Sequence, residues 1–198
     1  RLHWAGRSGI MTKQGTIKVA VVGVGNCFSS LYQGLEYYRE HKGQNIPGVM
    51  YADIGGYRTS DIEVVATFDV DRRKVGKPTG EAIFALPNCA RVFQEKVPAG
   101  PTVHMGKPLD GVSDYMQEQP EEFGFRVAKA KPVDVVKVLK ESGADILINY
   151  LPVGSQEATE FYAQCAIDAG VAFLNCIPVF IASDPKWEQK FIDAGLPL

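Results

Sequence analysis

With 198 residues, 45% of them hydrophobic and 22% charged, and a formal net charge of −2, the chain has room for one generous α/β domain or for one domain and part of another. That charge balance gives nucleic acid and acidic membranes nothing to bind, and no apolar run approaches the ~20 residues of a membrane helix, so a soluble chain is expected. The four cysteines, Cys27, Cys89, Cys165 and Cys176, show neither CxxC pairing nor the spacing of a zinc site, which points to reduced thiols in the cytoplasm.

In chain order, residues 1–11 precede the fold as an upstream or added remnant, with Met11 as the natural start, and the domain is expected over 12–198. Ile17 to Val22 is a β-branched, almost unbroken apolar run that suits a strand buried on both faces of a parallel sheet. A glycine loop follows, then helical spacing from Ser29 to Tyr38. The stretch 41–60 is rich in Gly, Pro and turn residues and reads as an excursion before the next strand, Glu63 to Phe68, which ends at Asp69.

From Gly80 to Val127 the periodicity is weak and broken by five prolines, and no elements are assigned. Val133 to Lys140 repeats as a helix and Asp145 to Tyr150 as another buried strand. Ser155 opens a helix with a cap signature and Gly170 closes it. Val171 to Asn175 is a further strand, and Asp184 followed by Pro185 opens a last helix. The terminal Leu196 to Leu198 resembles the start of one more strand, as in a fragment. Strands alternating with helices predict an α/β, doubly wound Rossmann-type parallel sheet.

The loop GVGNCFSS sits where such a sheet binds a nucleotide, because a strand feeding a glycine turn and a helix converges main-chain N–H groups and the positive helix end on one point. Gly23 is expected to make the tight turn and Gly25 to let the backbone approach a pyrophosphate, with Asn26, Cys27, Ser29 and Ser30 around it. Phe28 replaces the third glycine of the dinucleotide fingerprint. Asp69, ending the next strand, is placed to accept hydrogen bonds from an adenosine ribose and to repel a 2′-phosphate, which favours NAD. The competing reading makes the glycines a purely structural turn and Asp69 a loop cap.

Tyr150, Leu151, Pro152, Val153, Gly154 and Ser155 lie at a strand's carboxyl end, the edge where open sheets bind ligands, and are candidates for the far side of the cofactor. Asn175, with Cys176, Ile177 and Pro178 after it, either presents an amide to the nicotinamide or is a turn asparagine. Cys27 and Cys176 have no neighbouring base and read as buried, inert thiols. His41 and His104 stand alone, so no metal site is assigned. A divalent or monovalent cation stays open, because its ligands would lie mostly outside this stretch. Arg72, Arg73 and Lys74 read as a solvated face. No set of acid, base and nucleophile comes together, so no catalytic residue is assigned within the chain.

The segments KVAVVGVGNCFSSLYQGLEYY, FDVDRRKVGK, LDG, PVDVV and NYLPVGSQEATEFYAQCAIDAGVAFLNCIPVFIASDP together resemble the myo-inositol-1-phosphate synthase (inositol-3-phosphate synthase) family in its actinobacterial-like form, over its N-terminal, NAD-binding part. The resemblance implies that glucose 6-phosphate is isomerised to 1D-myo-inositol 3-phosphate in a homotetramer, by oxidation at C5, enolisation, aldol closure and re-reduction with a retained NAD. It also implies that a GDD motif and catalytic lysines lie downstream, so that this piece alone is inactive. Two alternatives are a non-catalytic NAD-binding module and the cofactor domain of an NAD-dependent dehydrogenase.

Overall fold

The computed structural model describes residues 15–41 and 47–198. The expectations for residues 1–11 and Met11, and the part of the 41–60 excursion at 42–46, lie outside the described residues. Five strands form one all-parallel sheet, β1 (Ile17–Val22), β2 (Ile62–Asp69), β3 (Val103–Met105), β4 (Ile146–Asn149) and β5 (Ala172–Asn175), in the order β3-β2-β1-β4-β5. The helices are α1 (Asn26–Glu40), α2 (Thr79–Ala82), α3 (Asp114–Glu118), α4 (Val135–Ser142), α5 (Gln156–Ala169) and α6 (Pro185–Ala194).

Alternation along β1 divides the core. Val19 and Val21 pack with Phe28 and Leu35 of α1 and with Ile83 and Val103, while Ala20 and Val22 join Leu139, Tyr162, Phe173 and Phe191 on the other face. A strand covered on both sides has no solvated face, which is why IKVAVV carries so few polar residues. The chain runs outward from the central β1 to β2 and β3, returns through α4 across the sheet, and continues outward on the other side through β4 and β5. The direction of winding therefore reverses between β1 and β4. At the carboxyl edge of that gap, marked by the pair Val22 and Asn149, lies a crevice lined by the residues that follow both strands.

Several boundaries differ from the sequence expectation. Helix α1 begins at Asn26, three residues before the apolar repeat becomes visible, because Gly25 is the last extended residue (φ −104°, ψ −159°). The stretch 80–127 is mostly loop, yet it supplies the edge strand β3, whose three residues are too few to show a period. In the excursion, Ile54 and Tyr57 form a bridge ahead of a 3-10 turn at Thr59–Asp61. No strand forms at 196–198; the Pro197 carbonyl instead accepts a hydrogen bond from Phe173 N–H at the edge of β5. Two expected helix ends hold, with Gly170 a left-handed cap at φ 74° and the Asp184 side chain accepting from Lys186 N–H, and Gly195 closes α6 in the same left-handed way at φ 65°; the expected Ser155 side-chain cap does not form.

Candidate functional site

The turn after β1 is built from two glycines with different duties. Gly23 has φ +92°, and its N–H donates to the Phe68 carbonyl at 2.9 Å. A Cβ there would sit 2.5 Å from the carbonyl oxygen of Tyr150, so only glycine lets β1 and β4 end this close together. Gly25 is the N-cap residue of α1, offers no side-chain cap, and has open space where a Cβ would stand. The other long helices are capped by carboxylates: Asp134 on α4, Asp184 on α6, and on α5 Asp110, which accepts from Glu157 N–H at 2.7 Å and Ala158 N–H at 2.9 Å. The first turn of α1 thus has no side chain hydrogen-bonded to it as a cap, and its N–H groups and positive dipole end suit an anionic group such as a pyrophosphate.

A cavity of about 200 Å³ lies in front of this turn, walled by Gly23, Gly25, Asn26, Asp69, Tyr150 and Leu151 among others. It is smaller than the ~300 Å³ at which ordinary ligand pockets begin, so a dinucleotide would extend beyond it. Part of the reason is the segment after β3, from which Lys107, Met116 and Phe125 close over the opening.

Asp69 is in the wall, but its carboxylate is already engaged. Oδ2 accepts from Val24 N–H at 2.8 Å, and Oδ1 from Val70 N–H at 2.7 Å and Asp71 N–H at 2.8 Å. Three of roughly four acceptor positions of a carboxylate are therefore spent on the chain, which leaves about one for a ribose hydroxyl. Asp69 acts as a loop cap here, whatever else it binds.

Tyr150, Leu151 and Pro152 also line the cavity, as does Asn26, whose Oδ1 accepts from Cys89 N–H. Other candidates are not in its wall: Cys27, Val153 and Gly154 lie outside it, and Ser29, Ser155 and Asn175 are bonded elsewhere. Ser29 is fully buried and its hydroxyl accepts from Gln33 Nε2, on the core side of α1. Ser155 is likewise buried; its hydroxyl donates back to the Pro152 carbonyl and caps nothing, because Asp110 has taken the cap position. Asn175 spends its amide on the carbonyls of Ile177 and Val179 and accepts from Asn149, which pins the turn after β5 and presents nothing to a ligand. Ser30 points to a separate groove between α1 and Phe93.

Cys27 and Cys176 are exposed rather than buried, and both neighbour the Tyr150 hydroxyl. Burial pushes the Tyr150 phenol and the Cys176 thiol up from their ordinary values. Arg73 and Lys74 are not a solvated face either. Arg73 pairs with Asp71 at 3.1 Å and donates to the Gly124 carbonyl at 2.7 Å, and Lys74 is buried at the cavity; only Arg72, paired with Glu121, is surface-exposed. The sequence assigns Lys107, Asp110 and Tyr162 no role at the site and puts Lys74 on the surface. Asp110 had one visible signal, the Asp-Gly turn pair it makes with Gly111, where a Cβ would lie 2.9 Å from the Ser155 hydroxyl. Among the described residues no three His, Cys, Asp or Glu gather as a metal site, and no helix is long and apolar enough to cross a membrane.

A scan against protein-family models finds no match. Curated relatives are clear: the chain is 53% identical over 185 residues to the inositol-3-phosphate synthase of Mycolicibacterium smegmatis, covering 93% of this chain and 50% of that protein. It is 50% identical over 184 residues to the inositol-3-phosphate synthase of Corynebacterium glutamicum, covering 92% and 49%. The chain thus spans about half the length of the curated relatives it matches. Among solved structures, Ari2 superposes with a TM-score of 0.76 at 35% identity, over 92% of this chain and 53% of that one. A myo-inositol-1-phosphate synthase-related protein from Thermotoga maritima superposes with a TM-score of 0.68 at 23% identity, over 91% and 53%, and shows the shared fold.

Proposed function

The chain belongs to the inositol-3-phosphate synthase family, matching about half the length of its relatives, and on that premise we propose that it forms the NAD-binding part of an enzyme that isomerises glucose 6-phosphate to 1D-myo-inositol 3-phosphate. The observation that carries the reading is the uncapped first turn of α1, open in front of Gly25 and flanked by Asp69, in a crevice where the sheet reverses its winding. NAD would take a hydride from C5 of the sugar phosphate and give it back after ring closure, so that no redox equivalent is consumed.

In this reading Gly23 and Gly25 bring the main chain to the pyrophosphate, and Asn26 and Cys27 belong to the helix turn whose N–H groups meet it. Asp69 offers its remaining acceptor position to the adenosine ribose. Tyr150, Leu151 and Pro152 form the opposite wall. The phenol of Tyr150, pushed further up from its ordinary value by burial, supplies a neutral O–H rather than a charge. The proton transfers of enolisation and aldol closure are assigned to residues outside this stretch, in a homotetrameric, cytoplasmic enzyme.

Calorimetric titration of the chain with NAD, followed by incubation with glucose 6-phosphate and NAD, tests the reading. The expected result is saturable NAD binding tighter than ~1 mM without formation of inositol phosphate. Absence of NAD binding would overturn the cofactor assignment. Accumulation of NADH would favour a dehydrogenase, and inositol phosphate formed by the chain alone would place the missing chemistry within these residues.

A further inference from the structure

Val24, between the two glycines of the turn, is held at both ends of its own residue. Its N–H donates to Asp69 Oδ2 at 2.8 Å, and its carbonyl accepts from Lys74 Nζ at 2.7 Å. The two side chains lie 3.9 Å apart and are nearly closed to solvent, at 8% exposure for Lys74 and 11% for Asp69. Lys74 reaches this position from the turn after β2, where its own N–H and that of Val75 bond the Asp71 carbonyl. Burying an ammonium is costly unless it is paired and hydrogen-bonded. Here it is spent on a single backbone carbonyl and a carboxylate, although a neutral side chain could fill the same space.

We propose that Lys74 is a positioning residue for the dinucleotide. Together with Asp69 it fixes the Val24 backbone, and through it the orientation of Gly25 and the first turn of α1 toward the pyrophosphate. An ammonium has three donors, and one is bonded to Val24; Asp69 at 3.9 Å offsets its charge, but Lys74 also forms part of the cavity wall, where a remaining donor is available to a phosphate oxygen. The inference rests on the NAD reading above and names a residue that the glycine fingerprint does not contain.

The test compares the wild-type chain with Lys74→Met, which keeps the length of the side chain and removes the donors, using NAD, ADP-ribose and adenosine as probes. Lys74→Met is expected to weaken NAD and ADP-ribose by about tenfold or more, since a charge-assisted contact is lost, while adenosine binding stays within about twofold. Lys77→Met, which removes an exposed lysine paired with Glu81, is expected to leave all three unchanged. If Lys74→Met does not fold, Lys74→Gln, which retains an N–H for Val24 but no charge, replaces it and is expected to show a smaller loss confined to the same two ligands. Equal weakening of adenosine, unchanged affinity for NAD in a folded variant, or failure of both variants to fold would each overturn the proposal and leave Lys74 a general stabiliser of the turn. A wild-type chain that binds no NAD would defeat the cofactor reading itself, which separates the two failures.

Discussion

A methyl group on Gly23 would press on the Tyr150 carbonyl oxygen at 2.5 Å, and the residue sits at φ +92°, whereas a methyl group on Gly25 would meet nothing within 4 Å at an ordinary negative φ. The two glycines should therefore respond differently to alanine. Gly23→Ala combines left-handed strain with a clash against backbone that cannot rotate away, and is expected to lower stability by about 3 kcal/mol or to prevent folding, as read by urea unfolding. Gly25→Ala should fold with stability within about 0.5 kcal/mol of wild type, yet lose about tenfold or more in NAD affinity, because the methyl group takes the space through which the pyrophosphate approaches. If both variants fold equally well, the close approach of β1 and β4 is not what demands glycine at the first position. The sequence pattern made both glycines visible and placed the tight turn at Gly23, where the positive φ is found. It could not show that Asp69 already spends three acceptor positions on the chain, because the Val24 N–H that takes one of them is 45 residues away.

At the scale of elements, the helix ends explain what was legible and what was not. Asp184 with Pro185, and Gly170, could be read directly because each cap and the group it satisfies lie within a few residues of each other. Ser155 stands where a cap belongs, but its hydroxyl turns to Pro152, and the first turn of α5 is satisfied by Asp110, 47 residues from Glu157. No local pattern encodes such a contact. The segment that carries Asp110 is also the one that closes over the cavity, fastened further along by Arg73 to the carbonyls of Glu121 and Gly124 and by Ala128 N–H to the Val70 carbonyl. Asp110→Ala is expected to cost about 1 kcal/mol, a fall in Tm of roughly 2–4 °C, and to expose the stretch 107–127 to limited proteolysis. Asp184→Ala should cost a similar amount without opening that stretch. Equal protease resistance of the two variants would show that Arg73 and the Val70 contact hold the segment without Asp110.

For the whole molecule, the parallel architecture was legible because strands buried on both faces leave continuous apolar runs, and β1, β4 and β5 are separated by helices with clear punctuation. The edge strand β3 was not, since three residues paired with Thr67, Phe68 and Asp69 carry no period of their own. The same double burial ties global stability to pH. Cys165 and Tyr162 sit on the inner face of α5, packed in the core with Phe173 and Phe68. Burial pushes the Cys165 thiol up from 9.0 to about 12, with the carboxylates of Asp168 and Asp134 adding to the shift, and burial also pushes the Tyr162 phenol up from 10.0. Both groups stay protonated when folded and lose a proton more readily when unfolded, so their contribution is fully present below pH 9 and is lost as pH rises, first through the thiol and then through the phenol. His104 on β3 acts from the other side: burial lowers its pKa from 6.5, so the unfolded chain takes up the proton first and stability falls as pH drops below that value. Urea unfolding should therefore give a plateau from about pH 7 to 9 with a decline on each side. Cys165→Ala is expected to lower the plateau by about 1 kcal/mol for the lost packing and to flatten the alkaline decline just above pH 9, leaving the later loss due to Tyr162 in place. An unchanged slope in that variant would show that the thiol does not titrate with unfolding, and would shift the alkaline sensitivity to Tyr162 alone.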